Sequence, residues 1–230
     1  MMTASSNSPD GGTLEKVGMT ENTHTTAPDM ANNPPLIDVT ANPFTLFDVW
    51  MKDAEQTEPS DPNAMVLATS TPDGHPSARI VLLKGADQRG FVFYTNQHSR
   101  KGDELAENPN VALLFHWKSL RRQIRIEGAV THVTSEEADI YFASRSRMSR
   151  LGAIASDQSR PLEDRSIFEA RLKKAEARYG EGDIPRPTNW SGYRVKPVAF
   201  EFWQERPYRL HDRARWTPDE NGWSVTRLYP

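Results

Sequence analysis

Apolar positions along the chain change their period several times, and each change marks an element. Residues 1–35 are rich in Ser, Thr, Asn, Gly and Pro with almost no apolar periodicity, which predicts a disordered tail. One folded domain is expected over 36–230. Phe44, Phe47, Val49 and Trp50, following Pro43, predict a short amphipathic helix with proline in its first turn. Strand patterns come next. Residues 64–69 read as a strand and Thr71-Pro72-Asp73-Gly74 as a turn. Two apolar runs, 79–84 and 91–95, read as a hairpin, and Ile80, Val81, Leu82 and Leu83 are unbroken enough to predict cover on both faces. Residues 111–117 form a similar run. In 123–133, Ile124 and Ile126 alternate with Gln123, Arg125 and Glu127. Strand after strand with short connections predicts an antiparallel sheet curled into a barrel rather than βαβ units.

Helical patterns interrupt the strands. Ser99 is an N-cap candidate for a helix that ends before Pro109. Thr134 and Glu137 have capping-box spacing, and if that helix continues, Tyr141, Arg145 and Ser149 share one face. After a polar loop at 157–160, Phe168, Leu172, Ala175 and Tyr179 form the apolar stripe of another helix, which Gly180 stops. The C-terminal part returns to strands. Val198, Phe200 and Phe202 alternate with Ala199, Glu201 and Trp203; Arg209, His211 and Arg213 are expected on one strand face; Asn221-Gly222 predicts a closing hairpin.

Composition narrows the function classes. A net charge of −3 over 230 residues gives no bulk attraction to nucleic acid, and no apolar run suits a membrane span, so neither is an expected partner. The absence of cysteine removes disulfides, thiolate metal sites and a cysteine nucleophile. The six histidines (24, 75, 98, 116, 132, 211) lack metal-ligand spacing, so no metal is expected. Without a secretory signal pattern, the expected compartment is the cytoplasm.

What remains is anion chemistry. Arg100 and Lys101 sit at a predicted helix N-terminus, where two cations are unfavourable unless an anion lies between them. Arg79 and Lys84 flank the preceding strand, and Tyr94 and Thr95 add hydroxyls. Tyr141, Arg145 and Ser149 offer a phenol, a guanidinium and a hydroxyl, all donors to phosphate oxygens, and suggest a second anion site. Arg209 and Arg213 flanking His211 point to an anionic or aromatic ligand, with the histidine able to move a proton near neutral pH. The basic segments 121–125 and 144–150 read as solvated faces rather than an RNA site.

The segments RIVLLK, FVFYTN, SRKGDELAENP, ALLFHW, RRQIRIEG, YFASR, SDQSR, NWSGYRV, EFWQ and RLHDR occur in the order seen in pyridoxine/pyridoxamine 5′-phosphate oxidases. The chain resembles that family from about Asn42 to Pro230. The resemblance implies a mainly β (α+β) fold, an antiparallel split β-barrel of the FMN-binding type with flanking helices. It also implies a homodimer with FMN at the subunit interface. The implied reaction takes pyridoxamine or pyridoxine 5′-phosphate to pyridoxal 5′-phosphate, with hydride passing to the flavin and then electrons to O₂, giving H₂O₂. By resemblance, FMN is held by Arg79, Ile80, Val81, Leu82, Leu83, Lys84, Tyr94, Thr95, Arg100 and Lys101, completed by Gln123, Gln158, Ser159, Trp203 and Arg213. The substrate phosphate is implied at Lys84, Tyr141, Arg145 and Ser149, with Arg209 and His211 over the pyridine ring as the catalytic pair.

Three positions depart from the family pattern that follows YFASR. Ser146 stands for proline, Arg150 for glutamine and Ile154 for tryptophan, all beside the implied substrate site. The segment before Asn42 lacks the Arg and Tyr that family members fold over the site. An alternative reading is a non-catalytic carrier of FMN or pyridoxal phosphate on the same barrel; the retained Arg209, His211 and Tyr141–Arg145–Ser149 set favours the oxidase.

Overall fold

A computed structural model of the chain describes residues 34–230. The predicted tail therefore lies, but for its last two residues, outside the described part. Helix α1 (Pro43–Thr57) begins as expected, with the Asn42 side chain accepting from the Phe44 N–H and Pro43 in the first turn. Nine strands follow: β1 (Ala64–Ser70), β2 (Pro76–Leu82), β3 (Gly85–Asp87), β4 (Gly90–Asn96), β5 (Asn110–Trp117), β6 (Arg122–His132), β7 (Trp190–Gln204), β8 (Asp212–Asp219) and β9 (Gly222–Leu228). Four further helices lie between them: α2 (Arg100–Glu107), α3 (Ser135–Ser144), α4 (Arg147–Ala155) and α5 (Arg165–Tyr179).

All strand pairs are antiparallel, in the order β2-β1-β5-β6-β7-β4-β3, with β8 joining β7 and β9. That order shows how the sheet closes. β2 and β3 end opposite sides of the path, yet Leu82 and Gly85 are three residues apart, a reach of about 11 Å at most. The sheet must curl until its ends meet, and the Lys84 N–H donates to the Val92 carbonyl across the join at 2.8 Å. The expected hairpin of 79–84 with 91–95 is thus corrected. β2 pairs with β1, and the hairpin partner of β4 is the short β3.

The core is the barrel interior. Leu67, Leu113, Phe115, Ile124, Ile126, Phe91, Phe93, Phe200 and Phe202 all point into it. α1 covers it: Phe47 meets Phe91 and Phe115 edge-on, and Trp50 does the same to Phe202. Such aromatic contacts add roughly 1 kcal/mol each beyond area burial. Alternation wins over the unbroken runs in the sequence. Val111, Leu113, Phe115 and Trp117 are buried while their neighbours are not.

Three apolar expectations fail for local reasons. β2 is an edge strand, so Ile80 (62% exposed) and Leu82 (37%) face outward rather than being covered on both sides. In β7 the register against β6 slips between Glu127 and Gly128, which pair with Ala199 and Pro197. Val198 is the extra residue of that bulge and points out, 55% exposed, off the Phe200–Phe202 face. Val49 lies on the outer face of α1. The expected capping box of α3, the Gly180 stop of α5 and the 221–222 hairpin are present, and Leu172, Ala175 and Tyr179 of the α5 stripe pack together without Phe168. No helix among the described residues is long and apolar enough to cross a membrane.

Candidate active site

A cavity of about 520 Å³ opens where the edge of β2, the end of β4, the mouth of α2 and the helices α3 and α4 converge. Ile80, Val81 and Leu82 form one wall, with Lys84 beside them. Tyr94, Thr95 and Lys101 line it from β4 and α2, Tyr141, Arg145 and Ser149 from α3 and α4, and Gln158 from the following loop. Residues far apart in sequence, read as two anion sites, thus share one space.

The α2 corner is built on tight backbone contacts. Ser99 caps the helix and accepts from the Gly102 N–H. A Cβ at Gly102 would lie 2.0 Å from the Gln97 carbonyl oxygen, so only glycine lets the helix start there. Lys101 is buried, and its Nζ donates to Thr95 Oγ1 (3.2 Å), Ser99 Oγ (3.1 Å) and Gln158 Oε1 (3.1 Å). Burial, and then the nearby Arg79 charge, bring its ammonium down to about 8, with Glu104 only partly opposing this. The 157–160 turn is pinned over the corner by Arg160, which donates to the His98 carbonyl and to Asp103, both at 2.7 Å.

Arg79 and Arg100, the other expected phosphate ligands here, do not line the cavity. Both are bound to Glu104, at 3.0 and 2.9 Å. Glu104 is 5% exposed and also accepts from Thr69 and Ser77. Burial alone would raise its carboxyl; the donors from Ser77, Thr69, Arg100 and Arg79 outweigh that and hold it at about 2. Arg79 and Arg100 thus already have an internal counter-charge. The i,i+4 spacing of Arg100 and Glu104 was the sequence signal for it.

The opposite corner is organised differently. α3 ends at Ser144, Arg145 is its C-cap with extended backbone (ψ 152°), and α4 starts two residues later. The single helical face expected for Tyr141, Arg145 and Ser149 therefore does not exist. A break brings the three to the cavity instead. Ser146, where the family pattern has proline, makes that break by capping α4, and its hydroxyl also donates to Ser149 Oγ at 2.8 Å. The Arg145 guanidinium sits 4.8 Å from the Trp190 ring centroid and 5.6 Å from that of Phe142. It pairs with no carboxylate among the described residues, and its buried Nη1 has no hydrogen-bond partner. Burial pulls its pKa down. Lys84 Nζ lies 5.9 Å from the Tyr141 ring.

Between the corners stands an aromatic wall that the sequence did not reveal. Tyr94, Tyr141 and Trp190 stack, with centroids 4.1 Å (Tyr94–Tyr141) and 5.4 Å (Tyr94–Trp190) apart. A Cβ at Gly192, paired with Tyr94, would fall 2.7 Å from the Tyr94 ring, so glycine makes room for it. Trp190, Asn96 and Ser156 also line the cavity, as does Phe168 from α5; Trp190 lies within the matched segment NWSGYRV.

The remaining expected residues lie elsewhere. Leu83 is buried in the core, and Ser159, with φ 70°, lines a neighbouring pocket. Gln123, Trp203 and Arg213 form one cross-strand row over β6, β7 and β8. Arg213 is held by Glu201 at 2.7 Å. Arg209 and His211 are not on a strand with Arg213. Arg209 belongs to the 3-10 turn Pro207–Arg209, with φ 60°, and β8 begins only at Asp212, because Pro207 and the left-handed Tyr208 and Arg209 break the extended run. The His211 ring lies 4.7 Å from that of Trp203, and its Nδ1 accepts from the Arg206 N–H at 3.3 Å, leaving Nε2 as the protonated nitrogen of the neutral ring. Trp190 and Trp203 are thirteen residues apart on one strand, up to about 40 Å at the usual rise. None of Gln123, Trp203, Arg209, His211 and Arg213 lines the cavity, so within one chain the expected set forms two separate patches.

Comparison with known proteins gives the family. The family model described as pyridoxamine 5′-phosphate oxidase matches residues 51–179, and that described as the pyridoxine 5′-phosphate oxidase C-terminal dimerisation region matches residues 190–230. A pyridoxine/pyridoxamine 5′-phosphate oxidase of Gluconobacter oxydans is 73% identical over 196 residues, covering 85% of this chain and 98% of the relative. Its counterpart in Novosphingobium aromaticivorans is 60% identical over 191 residues, covering 83% and 94%. Among solved structures, PhzG from Burkholderia lata 383, in complex with tetrahydrophenazine-1-carboxylic acid, has a TM-score of 0.77 at 33% identity, covering 90% of this chain and 98% of that one. Matches of this extent, over a split barrel with this cavity, make the chain a member of the pyridoxine/pyridoxamine 5′-phosphate oxidase family.

Proposed function

We propose that the chain oxidises pyridoxamine and pyridoxine 5′-phosphate to pyridoxal 5′-phosphate with O₂ as acceptor, using FMN bound between two copies of itself. The observation that carries this reading is the pair of cationic corners in one cavity, Lys101 at one and the unpaired Arg145 at the other. A flavin phosphate and a substrate phosphate would need two such corners. The donor set at the α2 mouth, Lys101, Thr95 and Gln158, suits a phosphate, with Tyr94 alongside and Arg79 and Arg100 as a charged rim fixed by Glu104. Ile80, Val81, Leu82 and Lys84, with Ser159 alongside, would border the flavin. Bound FMN supplies the two-electron redox chemistry.

The chain's own residues do the rest. Arg145, Lys84, Tyr141 and Ser149 anchor the substrate phosphate, and that remote anchor orients the reacting carbon. Arg209 holds the pyridine ring, and His211, with its proton on Nε2, donates to or orients the substrate. Those two residues belong to the Gln123–Trp203–Arg213 patch, which in a homodimer would close the partner's cavity. The dimerisation-region match and the outward Ile80 and Leu82 beside the cavity support that arrangement.

The test is a flavin titration followed by turnover in air. Visible absorbance should report FMN binding, and pyridoxamine 5′-phosphate should then yield aldehyde and H₂O₂ together. Absence of flavin binding overturns the reading, and binding without turnover makes the protein a carrier.

A further inference from the structure

Arg145 presents a physical problem. Its backbone has left the helix, so no helical turn fixes its side chain. Its guanidinium is half-buried with no carboxylate among the described residues, and one of its nitrogens is fully buried without a partner. Removing a cation from water in this way is costly unless something replaces the lost hydration. Arg79, in a comparable setting, has Glu104. Arg145 has the face of Trp190, 4.8 Å from its central carbon.

An aromatic face and a carboxylate hold an arginine with different consequences. A carboxylate occupies the N–H groups and cancels the charge. A ring attracts the cation through its quadrupole and accepts none of the in-plane N–H donors, which stay available for phosphate oxygens. Trp190 is itself firmly held. It is 6% exposed and paired with Asn96 in the sheet, and Phe142 packs edge-on at 5.0 Å. Its carbonyl accepts from Arg186 at 2.8 Å, and Arg186 also pairs with Asp139 of α3. The same ring lies within 12° of parallel to Tyr141, so one fixed plane orients two of the expected phosphate ligands.

We propose that Trp190 is a positioning residue for the substrate phosphate: it holds Arg145 in place without neutralising it, and thereby sets the preference for phosphorylated over unphosphorylated substrate. This rests on the assignment of Arg145 to the substrate phosphate. The experiment uses the FMN-loaded full chain with Trp190→Leu, Trp190→Phe and Arg145→Ala. Steady-state constants are measured for pyridoxine 5′-phosphate and for pyridoxine, with inorganic phosphate as a competing probe. Trp190→Leu should raise KM for the phosphorylated substrate and the inhibition constant of phosphate about tenfold each, the loss of one desolvated cation–π contact. kcat, FMN affinity and kcat/KM for pyridoxine should each stay within about twofold of the parent. Trp190→Phe, which keeps a weaker ring face, should lose about threefold, and it carries the test if the leucine variant does not fold. An equal fall for both substrates, or a parallel loss of FMN, would mean a merely structural role and overturn the inference. If Arg145→Ala raises KM and both Trp190 variants leave it unchanged, only the role of Trp190 falls. If Arg145→Ala leaves KM unchanged, the phosphate assignment falls with it.

Discussion

The two cationic corners of the cavity solve one problem in opposite ways. At the α2 corner, Arg79 and Arg100 are locked by the buried Glu104, and only Lys101 enters the cavity, with neutral oxygens around it. At the α3–α4 corner, Arg145 has an aromatic platform and no counter-charge. A carboxylate-locked corner is rigid and keeps its shape whether or not a ligand is bound. An unpaired guanidinium on a ring gives up stability in the empty site and retains its full charge for an incoming anion. The first arrangement suits a cofactor that stays, the second a substrate that must arrive and leave on every turnover.

The largest effect expected from this contrast is on stability. Glu104→Gln should destabilise the protein at pH 7 by about 3 kcal/mol, because two arginines lose their buried partner. The Glu104 carboxyl is held at about 2, below its ordinary 4.5. Its contribution is therefore complete above pH 4.5 and is lost as pH falls toward 2. Urea unfolding should show the gap between wild type and variant shrinking to about half by pH 3. A gap independent of pH would remove the carboxylate from the account.

Next in size is Arg145→Ala. It should raise KM for pyridoxine 5′-phosphate about a hundredfold, the scale of one charge-assisted phosphate contact, while FMN affinity stays nearly constant. Loss of FMN with KM preserved would interchange the two corners. The smallest effect concerns Lys101, whose ammonium sits near 8 because burial disfavours its charge. A phosphate binds the protonated form, so FMN affinity should weaken as pH rises above 8, by up to about tenfold. Lys101→Met should start weaker and show no such step in a fluorescence titration. A wild-type curve flat from pH 7 to 9 would place the flavin phosphate away from Lys101.

Much of this was legible in the chain. Period-two patterns marked most strands, Pro43, Thr134 and Gly180 marked helix ends, and Asn221-Gly222 marked the last turn. The cavity residues from β2, β4, α2 and α3–α4 carry their donor chemistry in the sequence itself. Other features were not legible for identifiable reasons. The partner of an edge strand is not written in its own residues, so 79–84 was given the wrong neighbour. A bulge has no hydrophobic signature, so Val198 was set on the wrong face. A helix break made by a serine cap looks like continuing helix, which hid the turn at Arg145 and Ser146. Left-handed residues other than glycine give no warning, so Arg209 and His211 were drawn onto a strand that begins after them.

The sequence by itself determined the antiparallel strand-rich class, the charged and hydroxyl residues of two anion sites, and the family resemblance, because side-chain period and local chemistry are properties of neighbours in the chain. Tertiary structure alone decided how the charges were partnered. Whether an arginine meets Glu104 or Trp190 depends on which strands curl together. Electrostatic energy falls with distance in space and with burial, and neither is a distance along the sequence.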